Sequence, residues 1–83
     1  MYKYITILGA AGQIAQRLTA TLLTYTDMHI TLYGRQLSSR IHPEILGHNR
    51  ITVIEGSFQN PKKLEEAVKN SEVVFLSAME TGS

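Results

Sequence analysis

The stretch YKYITILGAAGQIAQRLTATLL, residues 2–23, decides the reading of this chain, because it passes from a strand pattern into a helix pattern through four small residues. KYITILG, residues 3–9, is rich in aromatic, β-branched and apolar residues and reads as a strand. Ile14, Leu18 and Leu22 recur at a spacing of four, with Ala15 and Leu23 beside them, which predicts one apolar helical face over about four turns. Between the two elements stand Gly9, Ala10, Ala11 and Gly12.

Gly9, Gly12 and Ala15 give the spacing G-x-x-G-x-x-A at a strand-to-helix junction. Gly9 permits a tight backbone turn, Gly12 lets the main chain approach a ligand without a Cβ in the way, and Ala15 lets the helix pack closely on the strand. The free N–H groups of the helix's first turn and its macrodipole then favour an anion. The pattern suits the pyrophosphate of a dinucleotide; the alternative is a tight βα turn with no ligand. A mononucleotide loop fits less well, since no Gly-Lys-Ser/Thr ending follows.

Three further runs read as strands: HITLYG (29–34), ITVIEG (51–56) and EVVFLSA (72–78). In NPKKLEEAVKNS, Asn60 is the expected N-cap, Pro61 the first helical residue, and Leu64, Ala67 and Val68 one apolar face. RQLSSRIHPEILGHN reads two ways, as a single helical turn opened by Pro43 and closed by Gly47 or as a loop. Near-continuous apolar strands alternating with helices predict a parallel sheet with right-handed crossovers. The expectation is an α/β, Rossmann-like doubly wound sheet of order 3-2-1-4, one domain over residues 1–83, truncated after its fourth strand. That strand is expected to leave an unpaired edge and an uncovered apolar face around Val73, Val74 and Phe75, a setting for self-association into a homo-oligomer.

The end of the second strand is the second discriminating position. An acidic residue there accepts from the adenosine ribose hydroxyls, but this chain has Tyr33-Gly34-Arg35-Gln36, with Arg35 20 residues after Ala15. A guanidinium cannot accept such bonds and instead makes charge-assisted ones to a 2′-phosphate. NADP(H) is therefore expected over NAD(H), with Gln36, Ser38, Ser39 and Arg40 as further donors; the alternative is that Arg35 and Arg40 are solvated loop charges.

Composition narrows the remaining classes. The 83 residues are 43% apolar and 18% charged, a globular balance, with a formal net charge of +1 that gives no basic field for nucleic acid. No cysteine is present, which removes thiol catalysis and thiolate metal sites. No apolar run approaches the roughly 20 residues of a membrane span, and the N-terminus lacks a secretory pattern, so a cytoplasmic location away from membranes is expected. His29, His42 and His48 lack metal-ligand spacing, and Lys62, Lys63, Glu65, Glu66 and Lys69 read as a solvated helix face.

TILGAAGQIAQRL, ITLYGRQ and ITVIEGSFQNPKKLEEAVKNSEVVFLSA together resemble the N-terminal half of an atypical short-chain dehydrogenase/reductase of the NmrA-like, NAD(P)-binding type, which includes NADH-flavin and quinone reductases. The resemblance implies Gly9, Ala11, Gly12, Gln13 and Ile14 at the pyrophosphate and Arg35 at the adenosine phosphate. It also implies Ser57 and Phe58 beside adenine, and Ser77, Ala78 and Met79 along the cofactor's ribose side. Two departures stand out. Ser57 occupies the place of the family's common Asp, and no Tyr is followed four residues later by Lys, the pair that many relatives use for proton transfer. The resemblance implies an NAD(P)H-dependent reductase of a flavin, quinone or small carbonyl-type substrate, whose catalytic residues lie beyond residue 83. The resemblance also permits, as a second reading, a non-catalytic NAD(P)-binding redox sensor or regulator, and an inactive fragment is the third.

Overall fold

The computed structural model describes residues 3–76. Eight elements follow one another: β1 (Tyr4–Leu8), α1 (Gln13–Tyr25), β2 (His29–Gly34), α2 (Leu37–Arg40), α3 (Pro43–Leu46), β3 (Ile51–Glu55), α4 (Pro61–Val68) and β4 (Val73–Leu76). The four strands form one parallel sheet of order β3-β2-β1-β4, as the alternation of strands and helices predicts. Ile5 pairs with both Ile30 and Val73, which makes β1 the inner strand between β2 and β4.

The pleat sends alternate residues to opposite faces, and each face meets its own helices. On one face Ile5, Ile7, Ile30 and Leu32 pack with Ala15 of α1, Leu37 of α2 and Ile41, and Leu18, Leu22, Val73 and Phe75 close around them. On the other, Leu8 and Tyr33 pack with Ala67 of α4, joined by Ile54, Leu64 and Val68. Ala15 is wholly buried, so α1 lies close on the sheet as its small side chain requires. Ile14 departs from the expected apolar face: it is 56% exposed, and Thr19 takes a buried place on that face instead, its hydroxyl donating to the Ala15 carbonyl at 2.8 Å.

β4 also departs from expectation. Val73 and Phe75 are half-buried on the face covered by α1, whereas Val74 and Leu76 point the other way and are exposed. Two-residue periodicity divides the strand, so the uncovered patch is Val74 with Leu76 rather than Val73 to Phe75. β1 is also tied by polar groups to α4 and to the segment that leads into β4. The buried Thr6 hydroxyl donates to the Ala67 carbonyl at 2.6 Å and shares a hydrogen bond with the Ser71 hydroxyl.

Glu72 performs a similar role at the start of β4. Its Oε1 accepts the backbone N–H groups of Lys3 at 2.6 Å and Tyr4 at 3.1 Å. The Lys3 hydrogen bond, foremost, holds this carboxyl below its ordinary range. A lowered folded-state pKa contributes stability above the unfolded value, and that contribution is lost as pH falls through the folded one. Glu72→Gln is therefore expected to melt at a lower temperature than the parent chain at neutral pH, with the gap closing in acid; a pH series of thermal melts checks it.

The ends of the helices follow local chemistry. Asn60 caps α4, its Oδ1 accepting the Lys63 N–H at 3.2 Å, and Pro61 takes the first position as the sequence predicts. Pro43 does open a helical turn, α3, with Gly47 at its C-cap and the His42 ring nitrogen accepting from the Glu44 N–H. At the C-terminal end of α1, Arg50 donates from Nη1 to the Thr26 and Met28 carbonyls, at 2.6 and 3.0 Å, and from Nη2 to the Leu23 carbonyl at 2.7 Å. A cation at the carbonyl end of a helix is also favoured by the macrodipole. Arg50→Ala is expected to cost about 2–3 kcal/mol of stability in denaturant unfolding, with Arg50→Lys recovering only part because an ammonium lacks the fork.

Candidate functional site

The parallel pairing brings the C-terminal ends of all four strands to one edge of the sheet, where the segments after β1, β2 and β3 meet. Gly9 has φ 75°, a left-handed conformation that glycine adopts without penalty, so the chain reverses at once after β1. The N–H groups of Gly9 and Ala10 both donate to the Tyr33 carbonyl, at 2.9 and 3.1 Å, which ties the small-residue turn to the end of β2. Gln16 completes the brace, its Nε2 donating to the Ala11 carbonyl at 2.8 Å and the Arg40 carbonyl at 3.3 Å.

Gly12 is the N-cap of α1, in extended backbone (φ −70°, ψ 157°), and supplies no side-chain cap. The first helical hydrogen bond runs from the Gln16 N–H to the Gly12 carbonyl at 2.9 Å. An α-helix leaves its first N–H groups without intrahelical partners, so those of Gln13, Ile14 and Ala15 look out of the helix end. No acidic residue lies in that turn, and the Gln13 and Ile14 side chains are exposed. The arrangement fits a dinucleotide pyrophosphate: bare donors, positive dipole end, small residues and no competing carboxylate.

Arg35 and Gln36 follow β2 directly and are exposed. Gln36 is the one non-glycine residue with positive φ among the described residues (φ 56°, ψ 37°), and its carbonyl accepts from the Ser39 N–H at 3.2 Å and the Ser39 hydroxyl at 3.1 Å. This left-handed step starts α2, a helix the sequence reading did not contain. Ser57 and Phe58 follow β3. The Tyr33 ring is fully buried; its hydroxyl donates to the Ser57 carbonyl at 2.6 Å, and its ring meets Phe58 edge-on at 6.0 Å between centroids. Phe58 itself is 51% exposed, an aromatic surface at the site's edge.

Tyr33 thus joins all three segments, through its carbonyl to the glycine turn and through its side chain to the Ser57 turn. Neither Tyr33 nor Gln16 was among the expected site residues. The Tyr33 hydroxyl leaves room only for glycine just after β3, since a Cβ on Gly56 would lie 2.6 Å from it. Of the expected residues, Gly9, Ala11, Gly12, Gln13 and Ile14 form one segment of the edge, Arg35 and Gln36 the second, Ser57 and Phe58 the third. Ser77, Ala78 and Met79 lie outside the described residues. Among the described residues no group of three or more His, Asp or Glu could hold a metal ion, and no helix is long and apolar enough to cross a membrane.

A parallel 3-2-1-4 sheet with a glycine turn at the head of its first helix defines a Rossmann-type dinucleotide-binding domain. The profile of the NAD(P)H-binding family matches residues 9–83, and the chain belongs to that family. It is 38% identical over 72 residues to oxidoreductase aflX of Aspergillus parasiticus, a match covering 84% of this chain and 27% of that protein. Among solved structures it is similar to a short-chain dehydrogenase/reductase (wide type) from Veillonella parvula DSM 2008 in complex with NADP, at 83% identity and a TM-score of 0.89, over 92% of this chain and 35% of that one. A Rossmann-fold NAD(P)-binding family protein from Shigella flexneri is similar at 28% identity and a TM-score of 0.79, over 90% of this chain and 36% of that one. The chain therefore spans about a quarter to a third of the length of these relatives.

Proposed function

We propose that this chain is the NADP(H)-holding portion of an oxidoreductase that reduces a flavin, a quinone or a small carbonyl-type substrate. The observation that carries the reading is the placement of Arg35. It stands exposed at the end of β2, the strand whose Tyr33 carbonyl anchors the glycine turn, so one rigid edge joins a pyrophosphate cradle to a cation suited to a 2′-phosphate. The similar Veillonella parvula reductase, crystallised with NADP, supports the same choice of cofactor.

The residues have separate parts in this reading. The N–H groups at the head of α1 hold the pyrophosphate, Gly12 keeps the approach clear, and Gln16 and Tyr33 keep the turn in place. Arg35 and Gln36 take the adenosine ribose end, Ser57 and Phe58 the adenine, and Ser77, Ala78 and Met79 the ribose side further along. The bound nicotinamide supplies hydride. No tyrosine among the described residues serves as a proton donor here: Tyr33 has its hydroxyl engaged by Ser57, and Tyr4 and Tyr25 lie at the opposite ends of their elements from the site. Because the chain spans about a quarter to a third of its relatives' length, we assign substrate contacts and any proton donor to the rest of a longer protein. Calorimetric titration with NADP+ and NAD+ tests the cofactor reading; NADP+ is expected to bind at least about tenfold tighter, and equal affinities overturn it. Oxidation of NADPH by the intact protein with flavin, quinone and aldehyde acceptors tests the activity.

A further inference from the structure

At the end of β3, Glu55 stands in register with Gly34, the residue immediately before Arg35. The two strand ends are fastened there by the Gly56 N–H donating to the Gly34 carbonyl at 3.0 Å. The Glu55 side chain reaches across to α2, and its Oε2 accepts the Ser38 N–H at 3.0 Å. Gln36 provides no side-chain cap for α2, so a carboxylate from a neighbouring strand supplies one. The Gln36 carbonyl accepts from Ser39, so hydrogen bonds tie residues 36–39 together next to Arg35, and an acidic group sits against Ser38.

We propose that Glu55 is a specificity-determining residue of the cofactor site: its carboxylate is a fixed negative charge beside the Arg35 segment that penalises a phosphorylated adenosine ribose, holding the NADP(H) preference below what Arg35 alone confers. The proposal rests on the reading of Arg35 given above. A 2′-phosphate carries close to two negative charges, whereas the ribose hydroxyls of NAD(H) carry none, so a nearby carboxylate acts on one cofactor and spares the other. Glu55 is exposed, so the penalty is moderate and screened by salt. The same side chain stabilises α2, which explains why an acid stands at a place where it opposes the phosphate.

Glu55→Gln separates the two roles, because the amide oxygen still accepts from Ser38 while the charge is gone. By calorimetry at low salt, NADP+ is expected to bind about 3- to 10-fold tighter to Glu55→Gln than to the parent, with NAD+ unchanged and the gain shrinking as salt is raised. Glu55→Ala removes charge and cap together; it is expected to keep the shift in the NADP+ to NAD+ affinity ratio while melting at a lower temperature. An unchanged ratio in Glu55→Gln, or an equal loss for both cofactors, overturns the proposal and assigns Glu55 to the cap alone. Arg35→Ala, measured alongside, separates the two readings. If it weakens NADP+ selectively while Glu55→Gln does not shift the ratio, only the Glu55 proposal falls; if it has no selective effect, both fall.

Discussion

Gly12→Val is expected to weaken dinucleotide binding by at least about two orders of magnitude while leaving the domain folded. The backbone of Gly12 is extended, a conformation that valine favours, so the substitution introduces no left-handed strain. What changes is space. A branched side chain at the head of α1 fills the approach to the N–H groups that hold the pyrophosphate, and those donors are then left to water. The helix itself loses on the order of 1 kcal/mol, since valine is a much poorer N-cap than glycine, and the thermal melt reads that loss separately from the loss of binding. Gly9 offers no such separation, because its φ of 75° makes any side chain there a fault in the fold as well as in the site. Calorimetry with NADP+, together with a thermal melt, checks the expectation. Parental affinity in a folded Gly12→Val variant removes the pyrophosphate assignment.

Arg35→Ala is the second large effect. Charge-assisted hydrogen bonds contribute roughly 1.5–3 kcal/mol each, so losing the guanidinium is expected to weaken NADP(H) by about one to two orders of magnitude. NAD(H) should change much less, since its ribose presents no anion. Arg35→Asp goes further: a carboxylate accepts from the ribose hydroxyls and repels a phosphate, so the preference should reverse. Because Arg35 is exposed, measurements at two salt concentrations are informative; diffuse attraction fades with salt, while a positioned contact persists better. Equal losses for both cofactors withdraw NADP(H) as the preferred ligand.

The features that were legible in the sequence are those whose cause is local. The strand runs, the Gly9 and Gly12 spacing and the Asn60-Pro61 start of α4 each follow from residues a few positions apart, and the alternation of strands with helices then restricts the sheet to order 3-2-1-4. Four-residue α2 was not legible, because a single turn has no apolar periodicity and its start depends on Gln36 in a left-handed conformation and on Glu55 from another strand. Ile14 satisfies the spacing of a helical face yet lies exposed in the first turn of α1. Tyr33 shows the general limit. Its type and place in a strand are plain from sequence, but its service to two turns at once comes from the pairing of β2 with β1 and β3.

The position of β1 inside the sheet also has a history in time. Its pairing with β2 begins at Tyr4 and His29, whereas the hydrogen bonds from Lys3 and Tyr4 to Glu72 span 69 and 68 residues. During synthesis from the N-terminus, β1, α1, β2 and β3 are all available before β4 has been made. The growing chain therefore passes through an interval in which the edge of β1 that finally receives β4 is open, with Thr6 lacking its Ser71 partner. An open apolar strand edge recruits other strands. Nascent chains stalled before residue 71 are thus expected to be the species most prone to misassociation, and the arrival of β4 is the event that ends that exposure.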